Sequence, residues 1–168
     1  IDMIWNGYTI TEERKEKVLF SEPYLSNSQI IVIMADSDIE TKADLAGKVV
    51  ATQQGSAAFD AIIADETGIA AEFDGGTPIL YPTFNDVFND LESGRSDAIV
   101  VDEVLGRYTM KLKGEEKFAV LTDNFGDEEY GVGLRKEDVA LKEAIDATMN
   151  DMREDGTYDE IYAKWFAE

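Results

Sequence analysis

Short apolar runs alternate along this chain with polar stretches that open in helix caps, so the hydrophobic period switches repeatedly between that of a strand and that of a helix. Ile1-Asp2-Met3-Ile4 reads as the end of a strand, and Thr11 with Glu12 and Glu13 reads as the N-cap and acidic first turn of a helix reaching about Lys17. Val18 to Tyr24 is extended, with Pro23 barring a helix. Gln29 to Ala35 is a near-continuous apolar run whose length and β-branching predict a strand buried on both faces. Thr41-Lys42-Ala43-Asp44 is a capping box for a short helix stopping at Gly47, and Lys48 to Thr52 is the next strand. Gln53-Gln54-Gly55-Ser56 then turns into a helix from Ala57 to about Glu66.

The second half repeats the alternation. Ile79-Leu80-Tyr81 is a strand, and Thr83 caps a helix burying Val87, Phe88 and Leu91 until Gly94. Ser96 to Val101 is a buried strand running into Asp102-Glu103, and the helix after it holds Val104, Leu105, Tyr108 and Leu112 on one face up to Gly114. Phe118 to Leu121 is a strand, Thr122 to Glu129 an acidic loop, and Tyr130 to Leu134 is extended. Leu141, Ala144, Ile145, Thr148, Met149 and Met152 recur at helical spacing between Asp138 and Gly156. Thr157-Tyr158-Asp159-Glu160 is a capping box for a last helix that buries Ile161, Tyr162, Trp165 and Phe166. Strands alternating with capped helices predict an α/β fold with a mostly parallel sheet.

Charge and composition narrow the chemistry. Fifteen Lys and Arg against 36 Asp and Glu in 168 residues give a formal charge of −21, which argues against nucleic acid and an anionic membrane surface as partners. An anion site in so acidic a chain must be local, built from one or two cations and backbone dipoles, and suits a zwitterion better than a polyphosphate. The chain has no Cys and no His, which excludes disulfides, thiolate or imidazole metal sites and His-based triads. Its longest wholly apolar run, Ile30 to Ala35, is too short to span a bilayer.

Three strand ends carry candidate binding chemistry, since ligands of open α/β sheets lie beyond the carboxyl ends of strands. After Ile4, Trp5-Asn6-Gly7-Tyr8-Thr9 leads to a helix with Arg14 at N3, where a capping box would place Glu or Gln. Arg14 there is either a solvated surface cation or, with the N–H groups near Gly7 and Thr9, an anion holder. After Thr52, Ser56 is either a plain N-cap or part of a second anion site. After Val101, Asp102 is either an N-cap or the anion that holds an ammonium.

Thr9 to Lys17, Phe20-Ser21-Glu22-Pro23-Tyr24, Gln54-Gly55-Ser56, Asp97-Ala98 with Asp102-Glu103, Tyr130 to Lys136, and Gly156-Thr157-Tyr158 together resemble the polar amino-acid solute-binding proteins of ABC importers, in the family's order and over the whole chain. The resemblance implies a two-lobed α/β fold of the periplasmic-binding-protein type that closes on its ligand. It implies that Arg14 with the N–H groups of Thr9 and Ala57 holds an α-carboxylate. Asp102, the Gly7 carbonyl and the Thr9 hydroxyl would hold an α-ammonium, with Asn6, Gln53 and Ser56 lining the ligand. Ala57 stands where a Thr is common, which leaves only a backbone donor.

Relatives carry about two further βα units before the segment matching Ile1-Asp2. The expectation is therefore a complete second lobe over residues 28–130, with residues 1–27 and 131–168 supplying part of the first. That partial lobe is expected to pair with a second chain or stay loose. The implied role is capture of an L-amino acid outside the cytoplasm, in the periplasm or on a lipoprotein, for a membrane permease, with no cofactor and no catalysis. The competing roles on this fold are a receptor's ligand-sensing domain and a dehydratase of a cyclic carboxylic acid.

Overall fold

A computed structural model describes residues 1–166. In chain order the elements are β1 (Met3–Ile4), α1 (Glu12–Lys17), β2 (Leu19–Phe20), β3 (Leu25–Met34), β4 (Val50–Gln53), α2 (Ala57–Ala64), β5 (Ile79–Tyr81), α3 (Phe84–Glu92), β6 (Ala98–Asp102), α4 (Glu103–Lys113), β7 (Phe118–Tyr130), β8 (Gly133–Leu134), α5 (Val139–Glu154) and α6 (Thr157–Phe166). The chain divides into two compact units, one of Ile1–Ser26 with the residues from Glu129 onward, the other Asn27–Glu128.

The unit Asn27–Glu128 is built on a five-stranded sheet of order β5-β4-β6-β3-β7. The alternation of strands and helices predicts mostly parallel pairing, and β4 is indeed parallel to both β5 and β6. The sheet is nevertheless mixed, because β3 runs antiparallel to β6 with Gln29 opposite Asp102 and Ile33 opposite Ala98. Ile31 and Ile33 face one core with Ala58 and Ile62 of α2, whereas Ile30 and Val32 face the other with Val87, Phe88 and Leu91 of α3. Helices cover both faces, which is why this run is apolar at every position rather than at alternate ones.

Two expectations about this unit change. The acidic stretch from Thr122 to Glu129 is strand, not loop: β7 continues to Tyr130 beside β3. Its carboxylates find donors, Asp123 accepting from the Lys42 N–H at 2.7 Å and Asp127 from Ser28 Oγ at 2.8 Å. The second change is the face of α4, where Tyr108 and Leu112 are 64% and 68% exposed while Gly106 and Met110 are buried. Gly106 decides this, because a Cβ there would stand 2.8 Å from Val101 Cγ2 and 3.2 Å from Ile30 Cδ1. Absence of a side chain lets the helix backbone settle on the sheet, and a pattern search that scores only apolar residues passes over it.

In the other unit, β1, β8 and β2 form a small antiparallel sheet in that order. Helix α5 follows the predicted periodicity in part: Met149 is buried and Leu141, Ile145 and Met152 are half-buried, but Ala144 and Thr148 are exposed. For α6 the expectation fails. Ile161, Tyr162, Trp165 and Phe166 are all exposed, and Thr157 is the first helical residue, its N–H bonded to Asp155 Oδ1 at 2.8 Å, rather than the cap. The helix is anchored through Tyr158, whose hydroxyl donates to the Tyr24 carbonyl at 2.7 Å.

One buried charge ties α3 to the sheet. Asp90 is fully buried and accepts from Arg95 Nε at 2.5 Å and from the Ser96 hydroxyl. Burial alone would raise its pKa, but hydrogen bonds from Ser96, Tyr81 and Arg95 outweigh burial and hold the carboxyl below the usual carboxylate range. A carboxyl whose folded pKa is depressed contributes stability that is complete above the unfolded value of about 3.9 and is lost as pH falls through the folded one. Asp90→Ala is expected to lower unfolding free energy at neutral pH by about 1–3 kcal/mol for the stranded Ser96 hydroxyl alone. In urea titrations the gap between wild type and variant should narrow on acidification below about pH 3.9. A gap that stays constant from neutral to strongly acid pH would show that Asp90 does not act as an anion.

Candidate functional site

The eight candidate residues fall into two groups, one in each unit. In the first, Thr11 caps α1 by accepting the Arg14 N–H at 3.1 Å, so Arg14 does occupy N3. Its guanidinium turns back, donating to the Thr9 carbonyl at 3.0 Å and lying 4.9 Å from the centroid of the Tyr8 ring. A cation held by a carbonyl dipole and an aromatic face is fixed in orientation, which a solvated surface Arg is not.

The turn ahead of Arg14 is fixed by its neighbours. Asn6 is exposed, and its carbonyl accepts from the Tyr24 hydroxyl at 2.6 Å and the Tyr8 N–H at 2.7 Å. Gly7 passes directly over Tyr130, where a Cβ would stand 3.2 Å from the ring. Thr9 is buried and bridges Tyr130 in antiparallel fashion. Tyr8 and Tyr130 thus hold the segment from which Arg14 projects, and both escape a reading that looks only for charged or hydrogen-bonding ligands.

The second group gathers at one end of the five-stranded sheet. Because β4 and β6 are parallel neighbours, Gln53 with the turn after it and Asp102 lie at the same, carboxyl, edge. Gly55 takes φ +68°, a left-handed conformation that turns the chain from β4 into α2. Ser56 is the N-cap of α2, accepting the Phe59 N–H at 3.2 Å and donating to the Gln53 carbonyl at 2.8 Å. The Gln53 side chain donates to the Pro82 carbonyl at 3.0 Å, tying the ends of β4 and β5 together. Ala57 is the first helical residue, and its N–H has no acceptor within the helix.

Asp102 precedes α4 in the N-cap position, yet its side chain makes no capping bond. The Val104 N–H is taken instead by Asn27 Oδ1 at 3.2 Å. The carboxylate of Asp102 accepts at Oδ1 from Asn27 Nδ2 at 3.1 Å and from Gln29 Nε2 at 2.8 Å. This overturns the capping alternative for Asp102: a residue 75 positions earlier in the chain caps the helix and leaves the carboxylate held by two amides. Asn27 and Gln29 were legible only as polar residues leading into an apolar strand. Their role depends on which strand lies beside β3.

A cavity of about 330 Å³ lies elsewhere, lined among others by Met3, Ile4, Lys17, Val18, Leu134 and Lys136. None of the eight candidates lines it, and the charges on its wall include Asp2 and Arg135, which pair with each other at 3.0 Å.

The family described as bacterial extracellular solute-binding proteins, family 3, matches residues 1–168. The chain is 32% identical over 170 residues to an ABC transporter glutamine-binding protein of Bacillus subtilis, covering all of this chain and 59% of that protein. It is 32% identical over 173 residues to the lysine/arginine/ornithine-binding periplasmic protein of Escherichia coli, covering 99% of this chain and 65% of the other. Among solved structures, an ABC uptake transporter substrate-binding protein from Streptococcus pneumoniae with bound histidine superposes with a TM-score of 0.93 at 36% identity, covering the whole chain and 69% of that protein. The chain thus spans less than two thirds of the length of these two curated relatives.

Proposed function

Because this chain belongs to the bacterial extracellular solute-binding proteins of family 3, we propose that it binds an L-amino acid outside the cytoplasm and presents it to the membrane permease of an ABC importer, without chemistry. The relatives are named for glutamine, histidine, lysine, arginine, ornithine and cystine. Those ligands differ in side chain and agree in carrying an α-ammonium and an α-carboxylate. A site for the shared part needs one fixed anion and one fixed cation or set of donors.

Asp102 is the anion. The observation that carries the reading is its carboxylate, set at the carboxyl end of β6 by two side-chain amides instead of bonding the helix it precedes. Arg14 is the cation for the carboxylate, with the N–H groups of Thr9 and Ala57, while Gly7 and Thr9 assist Asp102, and Asn6, Gln53 and Ser56 line the ligand. On this reading residues 28–130 form one lobe, and residues 1–27 and 131–168 belong to the other. The charge of −21 fits a ligand whose ammonium meets a favourable field and whose carboxylate needs a local cation.

A thermal-shift screen of the twenty L-amino acids plus cystine tests the reading. Ligand at about 100 times its Kd should stabilise the protein by about 2.7 kcal/mol, and a screen with no shift for any of them would reject it.

Arg14→Ala is expected to weaken binding by about 2–5 kcal/mol, the cost of leaving one member of a desolvated charge pair alone. In calorimetry this reads as a loss of about thirty- to several-thousand-fold. A loss below about threefold with folding intact would return Arg14 to the surface.

Asp102→Asn keeps an oxygen acceptor for Asn27 and Gln29 but removes the charge. Stability of the unliganded protein should hardly change, while affinity falls at least about tenfold. Unchanged affinity would exclude Asp102 from ammonium recognition.

A further inference from the structure

Gln29 is a long amide in the middle of the fold, 1% exposed, followed directly by Ile30, Ile31, Val32 and Ile33. Its Nε2 donates to Asp102 Oδ1, but its Oε1 is buried with no hydrogen-bond partner among the described residues. A buried acceptor without a donor is destabilising, so for the strand alone an apolar side chain of similar length would serve better. Local violations of this kind are expected where a residue serves function rather than fold.

Geometry says what Gln29 does. It stands directly opposite Asp102 in the antiparallel register, and Asn27 lies two residues earlier on the same face of the strand. Both amides converge on one oxygen of the carboxylate, which fixes the rotation of that group. The Asn27 carbonyl oxygen also occupies the Val104 N–H, the donor that an Asp in the N-cap position would otherwise turn toward. The two residues therefore hold Asp102 in place and remove the competing bond.

We propose that Gln29, supported by Asn27, is a positioning residue for ligand recognition: it orients the Asp102 carboxylate toward the ligand's ammonium and is retained at a cost in stability. This rests on the amino-acid-binding reading given above. It adds to that reading that recognition by Asp102 depends on a residue that need not touch the ligand.

The test is a double-mutant cycle of Gln29→Met and Asp102→Asn in the full-length protein, with the amino acid of largest thermal shift in the screen as the titrated probe. Gln29→Met should lower affinity at least about fivefold while the melting temperature stays level or rises, since the orphan acceptor is gone. In the Asp102→Asn background the same substitution should change affinity less than about twofold. Wild-type affinity in Gln29→Met, an equal loss in both backgrounds, or a loss accompanied by a lower melting temperature would each overturn the proposal and leave amino-acid binding standing. If Gln29→Met does not fold, Gln29→Leu is measured in its place, and failure of both to fold would show that Gln29 serves the fold. Absence of any amino-acid shift in the wild type would overturn the functional reading and the positioning role with it.

Discussion

The antiparallel register of β3 against β6 is the constraint on which the rest of the Asn27–Glu128 unit depends. Ile30 through Ile33 are buried on both sides, with alternate residues committed to different cores. A slip of one residue would exchange those two sets and leave each core with side chains shaped for the other. Packing therefore fixes the register, and the register places Gln29 against Asp102. The polar site at the end of the sheet is positioned by the hydrophobic residues beside it and inherits their rigidity.

At the carboxyl end of β6 the sheet carries arrangements that stability alone does not favour. Asp102 sits where an N-cap belongs without capping, and Gln29 keeps a buried oxygen without a donor. Neighbouring elements supply what is missing: Asn27 provides the cap for α4, and Gly106 lets that helix lie close on Val101 and Ile30. Asp90 shows the opposite design, a buried carboxylate with donors from Ser96, Tyr81 and Arg95. The buried carboxylate of Asp90 ties α3 to the sheet, and the half-exposed one of Asp102 is held at a strand end by the amides of Asn27 and Gln29.

Arg14 follows a more local logic. Its position at N3 behind the Thr11 cap comes from four consecutive residues, and the carbonyl that receives its guanidinium lies five residues back. The Tyr130 ring under Gly7, the bridge from Thr9 to Tyr130 and the Tyr24 hydroxyl on the Asn6 carbonyl come from farther along the chain. The surroundings of Arg14 can largely be read from a short stretch of chain, whereas those of Asp102 cannot.

The sequence by itself determined the alternation of strands and capped helices, the doubly buried run of β3, the caps at Thr11, Ser56 and Thr83, and the polar turns at the ends of β4 and β6. These are encoded within a few residues, by hydrophobic period and by side chains that bond their own backbone. Tertiary structure alone decided that β3 is antiparallel to β6, that residues 122–129 are strand, which face of α4 turns inward and that α6 leaves Ile161, Tyr162, Trp165 and Phe166 exposed. Three of those outcomes turn on a partner distant in sequence: β6 for β3, β3 for β7, and Ile30 for Gly106. That Asp102 does not cap α4 was decided in the same way, because whether a carboxylate caps a helix depends on whether another side chain has already reached the N–H, and Asn27 arrives there only when β3 is in register.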